Sequence, residues 1–348
     1  MERIAHGGDV YGDNAGLLDF SVCLNPAGAP QAVLEAAQEG VLRQGYPDPR
    51  CRALVRAAAR RDGVGENMVL WGNGCADLID RFALNLRPRK ALLLAPTFGE
   101  YRRALEGVGC QIEECFLSQE GKFLPGEALL KAIVPGIELV FLCDPNNPTG
   151  RLMDEGLLYR VLERCRQVGA MLAVDQCFLE LTAARPDRLT DQLAEGNLIL
   201  FRALTKSYAL AGLRLGYCLC GDRALLDRMA HILQPWPVSI PAQMAGECAL
   251  QSFPHWPFDQ FLSIAQEREK LKAALEALGL WVCPSESCFL LFHGPEDLGE
   301  RLRKEQGILV RSCAGHPGLG PGWYRIGLRA PEENGRLIAA LQMLLRGE

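Results

Sequence analysis

Lys206 stands just past an apolar run, Leu198-Ile199-Leu200-Phe201, and leads into small residues and Gly212-Leu213-Arg214-Leu215-Gly216. The run reads as a buried strand, and α/β sheets build their sites at strand ends. A lysine partly desolvated there has a lowered pKa, so its neutral amine can attack a carbonyl carbon. Asp175 ends a second apolar run, Met171-Leu172-Ala173-Val174, and brings a carboxylate to a comparable position. Gly72-Asn73-Gly74-Cys75-Ala76 precedes a helix with an apolar face. The amides of Gly74, Cys75 and Ala76 would then point from a helix start toward a phosphate. Arg311 and Arg325, close to the C-terminal end, could offer fork-shaped, permanently charged donors to a phosphate or carboxylate. Taken singly, these are a loop lysine, a strand-end acid, a glycine turn and two surface arginines. Their combination points to carbonyl chemistry beside bound anions.

These groups need a frame. Apolar runs predict strands at 91–94, 138–143, 170–174, 198–201 and 213–220, with a helix at 155–168 between two of them. That is a βαβ pattern, hence an α/β fold with a largely parallel sheet covered by helices on both faces. Gln44-Gly45-Tyr46-Pro47-Asp48-Pro49 is turn chemistry before a helix that ends at Gly63. Pro235, Pro237 and Pro241 interrupt the alternation. Beyond them come a charged helix at 258–278, strands at 288–292, 308–310 and 324–328, and a final helix carrying Leu337, Ile338, Leu341, Leu344 and Leu345. The expected division is an N-terminal arm (1–35) packing with the small domain, a large domain (36–238) and a small C-terminal α/β domain (239–348). Within the arm, Phe20, Val22 and Leu24 alternate like a short strand.

With 348 residues, two domains are the prior. A net charge of -5 gives no reason to expect nucleic acid as a partner. No apolar run reaches transmembrane length and the first residues carry no leader pattern, so a cytoplasmic protein is expected. The 14 cysteines are spread along predicted elements without a Cys-x-x-Cys pair. They read as small buried hydrophobes in a reducing compartment rather than disulfides or metal ligands, and no metal site is expected.

The segment Thr205-Lys206 followed by Arg214-Leu215-Gly216 resembles the cofactor-lysine segment of pyridoxal-phosphate (PLP) enzymes of the aspartate-aminotransferase fold (fold type I). Further segments match that pattern in order around it. The resemblance implies that Lys206 holds pyridoxal 5'-phosphate covalently and that Thr205 beside it contacts the cofactor. Asp175 would face the pyridine nitrogen. Asn147, in Asp144-Pro145-Asn146-Asn147-Pro148-Thr149-Gly150, would bond the ring oxygen, and Phe98 would stack on the ring. Arg214 would hold the phosphate with Gly74, Cys75 and Ala76. Tyr46 matches a tyrosine that reaches the phosphate of the neighbouring subunit, which implies a homodimer. The implied fold is a mostly parallel seven-stranded sheet between helices plus the smaller domain.

Within that fold the chain is similar to histidinol-phosphate aminotransferases and to threonine-phosphate decarboxylases of cobalamin biosynthesis. His6-Gly7-Gly8 with Leu18-Asp19-Phe20-Ser21 and Asn25-Pro26 resembles the decarboxylase N-terminal signature. Ile308 to Cys313 ahead of Pro317-Gly318-Leu319-Gly320, and Arg325-Ile326-Gly327-Leu328-Arg329-Ala330-Pro331-Glu332-Glu333-Asn334, resemble its C-terminal segments. The implied substrate is a small phosphorylated amino acid held by His6, Asn25, Arg311 and Arg325. Phe178 stands where aminotransferases of this fold usually carry a tyrosine, which favours decarboxylation of O-phospho-L-threonine to aminopropanol phosphate over transamination. Gln176 and Ala203 also depart from the usual residues. A phosphate-recognising aminotransferase is the alternative, and a non-catalytic PLP-fold binding protein a more distant one.

Overall fold

The computed structural model describes residues 6–232 and 234–346. The first five residues of the expected arm and the last two of the C-terminal domain therefore lie outside the described residues. Strand β1 (Leu18–Asp19) belongs to the arm. The large sheet contains β2 (Val69–Gly72), β3 (Lys90–Ala95), β4 (Gln111–Phe116), β5 (Leu139–Cys143), β6 (Met171–Asp175), β7 (Leu198–Ala203) and β8 (Gly216–Cys220). Their spatial order is β2-β8-β7-β6-β5-β3-β4. Strands β3 to β7 run parallel, and β8 is antiparallel to both of its neighbours. Strands β5 and β7 are buried at every position, as continuous apolar runs under helices on both faces require.

The second sheet is antiparallel, formed by β9 (Trp281–Val282), β10 (Phe289–His293), β12 (Arg311–Ser312) and β13 (Trp323–Gly327). Helices Phe261–Ala277 and Pro331–Arg346 cover it, burying Ile264, Leu271, Leu337 and Leu341 against Phe289 and Ile326.

Five features depart from expectation. The run expected as one strand at 308–310 splits: β11 (Ile308–Leu309) pairs parallel with β1, then the chain crosses at Val310 into β12. The strand expected at 213–220 begins only at Gly216, because Arg214 is left-handed at φ +54° after a short turn at Ala211–Leu213. The alternation at Phe20, Val22 and Leu24 forms no strand. Asp19 accepts both the amide and the hydroxyl of Ser21, at 2.7 and 2.6 Å, and turns the chain there. Strand β4 was not expected at all. Lastly, helix Ile240–Ser252, on the far side of the expected 238/239 division, buries Ala242, Ala245, Ala249 and Leu250 in the core of the seven-stranded sheet. It lies so close to helix Gln31–Leu42 that a Cβ on Gly40 would stand 2.6 Å from the Pro241 Cα.

All 14 cysteines are unpaired thiols, and 12 of them are buried. No described helix is long and apolar enough to cross a membrane.

Candidate active site

The ends of β5, β6 and β7 open into a cavity of about 440 Å³ whose far wall comes from β12, β13 and the arm. Lys206 lies in the short helix Leu204–Ser207 that follows β7 directly. Its carbonyl accepts the Asn25 amide at 3.0 Å, and the Asn25 side chain donates to the Ser207 carbonyl at 2.9 Å. Asn25, expected at the substrate, is thus committed to bracing the lysine turn and is not among the residues lining the cavity. Loss of hydration holds the Lys206 pKa below the usual lysine value, with repulsion from Arg325 and Arg214 adding to it. The Lys206 amine sits 5.7 Å from the Phe178 ring centroid, an apolar neighbour that offers no hydroxyl.

Asp175, at the end of β6, is buried and fixed from two sides. The Tyr101 hydroxyl donates to Oδ2 at 2.7 Å, and the Cys177 amide donates to Oδ1 at 2.9 Å. Burial raises the Tyr101 pKa far above its ordinary value, and repulsion by Asp175 raises it further, so the phenol stays a donor. Tyr101 in turn stacks on Phe141 at 4.1 Å and meets Phe98 edge-on at 5.5 Å.

Helix Cys75–Leu86 starts at Gly74, and its first amides lack helical partners. Cys75, Ala76, Thr205 and Arg214 line the cavity here. Gly74 is left-handed at φ +81°, and any Cβ on it would fall 2.8 Å from the Arg214 guanidinium. Only glycine lets that cation close on the helix start.

On the far wall, Arg325 donates to the Asn147 side-chain oxygen at 2.6 Å and to the Ser21 carbonyl at 2.7 Å. The bond fixes the Asn147 amide so that its NH₂ is left to donate. Arg311 is the direct register partner of Arg325 across β12 and β13. Burial, with the neighbouring Arg325, pulls the Arg311 pKa down. Burial and the same two arginines push His316 down to about 4, so its ring is neutral at pH 7. His6 and Phe98 line the same cavity, and His6 Nε2 lies 3.0 Å from Glu100. Tyr46 is elsewhere, 76% exposed and stacked on Trp236 at 4.1 Å.

The family profile "Aminotransferase class I and II" matches residues 15–341. The chain belongs to this family. Threonine-phosphate decarboxylase of Salmonella typhimurium is 36% identical over 336 residues, covering 95% of this chain and 92% of that protein. Histidinol-phosphate aminotransferase 2 of Ralstonia nicotianae is 32% identical over 342 residues, covering 92% and 87%. Among solved structures, the L-threonine-O-3-phosphate decarboxylase from Porphyromonas gingivalis superposes with a TM-score of 0.83 at 24% identity, covering 95% of this chain and 100% of that one. The histidinol-phosphate aminotransferase from Clostridium acetobutylicum gives 0.87 at 24%, with the same coverage. These two likenesses speak to the fold.

The family's cofactor is pyridoxal phosphate, and the residues present fit it. A desolvated amine, a fixed carboxylate and a glycine-permitted phosphate cradle share one cavity. Sequence reasoning passed over Tyr101, Cys177, Glu100, Ser21 and His316. Tyr101 follows Phe98 by three residues in the first turn of helix Gly99–Glu106, and nothing in that spacing points to Asp175.

Proposed function

We propose that this chain decarboxylates a small phosphorylated amino acid, with O-phospho-L-threonine as the best fit. The carrying observation is the Arg311–Arg325 register pair on the cavity wall. Like charges directly opposite on neighbouring strands repel. Among the described residues no carboxylate forms an ion pair with either arginine. An anionic ligand bound between them offsets that repulsion, and a phosphorylated amino acid with a free carboxylate brings one anion for each guanidinium. The 36% identity to a protein named threonine-phosphate decarboxylase supports the same reading.

Bound pyridoxal phosphate supplies a ring that accepts the electron pair released at the substrate α-carbon. Asp175, fixed by Tyr101 and the Cys177 amide, would face the ring nitrogen and favour its protonated form. Arg325, tied to Asn147 and the arm, and Arg311 beside it orient the substrate by its anions. By fixing the substrate's anions, these grips would decide which α-carbon bond is presented for cleavage by the bound cofactor. Phe178 gives Lys206 an apolar neighbour in place of the aminotransferase tyrosine. Holoenzyme given O-phosphothreonine should release CO₂ without consuming a keto-acid acceptor. Consumption of 2-oxoglutarate with histidinol phosphate, and no CO₂ from phosphothreonine, would move the assignment to the aminotransferase, for which the 32% relative speaks.

The same reading includes a homodimer in the cytosol. Fourteen unpaired thiols suit a reducing compartment. The exposed Tyr46–Trp236 stack is apolar surface that a second copy would cover, with Tyr46 reaching the partner's cofactor phosphate. A heterodimer of one Tyr46→Phe subunit and one Lys206→Ala subunit gathers both lesions in one site. It should recover about half of wild-type turnover, one site of two being intact. Activity no higher than the Tyr46→Phe homodimer sinks the shared-site reading.

A further inference from the structure

Two carboxylates line the cavity among the described residues, Asp175 and Glu100. Asp175 has a role above; Glu100 has none, and a carboxylate in an anion pocket repels the ligand unless it serves something else. Glu100 is nearly buried in the first turn of helix Gly99–Glu106, where the helix dipole favours negative charge. One of its oxygens meets Arg103, which is itself tied to Asp80 at 2.6 Å. The other lies 3.0 Å from His6 Nε2 on the arm.

The arm is also held at its next residues. The Gly8 amide donates to the Ser21 hydroxyl at 2.8 Å, and Gly7 lies so tightly that a Cβ would fall 2.3 Å from the Ser21 carbonyl. That same carbonyl accepts Arg325. One end of the arm is therefore fastened to the substrate arginine's anchor and the other to Glu100, with His6 at the cavity rim between them.

We propose that Glu100 is a positioning residue that holds His6 at the rim, so that the imidazole adds a further hydrogen-bond donor for the substrate phosphate. The inference rests on the phosphorylated-substrate reading but not on which reaction follows. The two imidazoles of the cavity divide accordingly. His316 faces Arg311 and Arg325 and is driven neutral, whereas His6 lies 3.0 Å from the Glu100 carboxylate. The nearby His6 ring and the Arg103 guanidinium hold the Glu100 pKa below its usual range, so the acid stays ionised and its charge is answered locally.

The sign of one substitution separates this role from simple repulsion. If Glu100 only repelled anions, Glu100→Gln would tighten phosphate binding; if it positions His6, binding weakens. With holoenzyme, competitive inhibition by inorganic phosphate should weaken about tenfold in Glu100→Gln, the share of one charge-assisted hydrogen bond. His6→Ala, on an exposed segment, should weaken it by a similar factor, and the double variant no further, because both act through one contact. For O-phosphothreonine the loss should fall on KM rather than on kcat. Phosphate inhibition unchanged or tightened in Glu100→Gln, or losses that add in the double variant, overturns the proposal. Phosphate inhibition can be read on transamination with histidinol phosphate as well as on CO₂ release, so failure of the decarboxylase reading and failure of this role are distinguishable.

Discussion

Lys206→Ala lowers turnover roughly 10⁴-fold or more, the scale on which enzymes lose rate when a covalent nucleophile is removed. Two features of the wild-type site make the effect large. The amine is held by the turn that Asn25 braces from the arm, and loss of hydration keeps a larger share of it neutral than an ordinary lysine would have. No other lysine lines the cavity, so none is positioned to substitute. Borohydride treatment of wild-type holoenzyme should leave a pyridoxyl group on the peptide carrying Lys206, and treatment of the variant should leave none. Recovery of the label on another lysine ends the assignment. Stability should move the other way. The folded-state pKa is lowered, so below the unfolded value the unfolded chain binds the extra proton and the lysine subtracts stability there. Apoprotein carrying Lys206→Met should consequently melt above wild-type apoprotein at neutral pH.

The second large effect belongs to Asp175→Asn, which should cost about 10²-fold or more in kcat, as removal of one preorganised electrostatic group does elsewhere. The substitution keeps the shape and removes the charge that, in the proposed role, would hold the ring nitrogen protonated. It also turns one of the two acceptors into an NH₂ facing a donor, the Tyr101 hydroxyl or the Cys177 amide. Tyr101→Phe tests the support alone. It deletes the 2.7 Å bond and leaves the stacking on Phe141, so its loss should be smaller and accompanied by an altered visible absorption of bound cofactor. A Tyr101→Phe enzyme as impaired as Asp175→Asn would mean that the phenol touches the reaction itself.

What could be read from the sequence divides along physical lines. Strands β5, β6 and β7 are continuous apolar runs because both faces are covered, and Lys206 and Asp175 could be placed from them. Strand β4 escaped because it is an edge. Its Glu113 and Glu114 side chains pair with Lys90 and Arg102 at the rim, so its composition reads as loop. The split at Val310 was invisible because a run of apolar residues does not say which neighbour each will pair with. Tyr101 meets Asp175 across 74 positions of sequence, and Arg325 meets Ser21 across 304. No local pattern encodes contacts of that range; the fold has to bring them together. Asn25 shows the opposite case, a residue picked out by its motif whose side chain turns out to serve the backbone of the lysine turn.

The path of the chain also fixes where the gene can be cut. The close crossing of helix Ile240–Ser252 over Gly40 fastens residues 240–252 to the seven-stranded layer, although they lie past Pro235 and Pro237, where the strand–helix alternation stops. A chimera joined at 238/239 would carry a helix matched to the wrong scaffold, with four core residues facing foreign partners. A junction after Ser252 avoids that. The graft would still be incomplete, because β1 pairs with β11 and Phe20 packs among the residues beneath the second sheet. Transplanting the substrate grip between relatives therefore takes two pieces of DNA, one from each end of the reading frame, exchanged together.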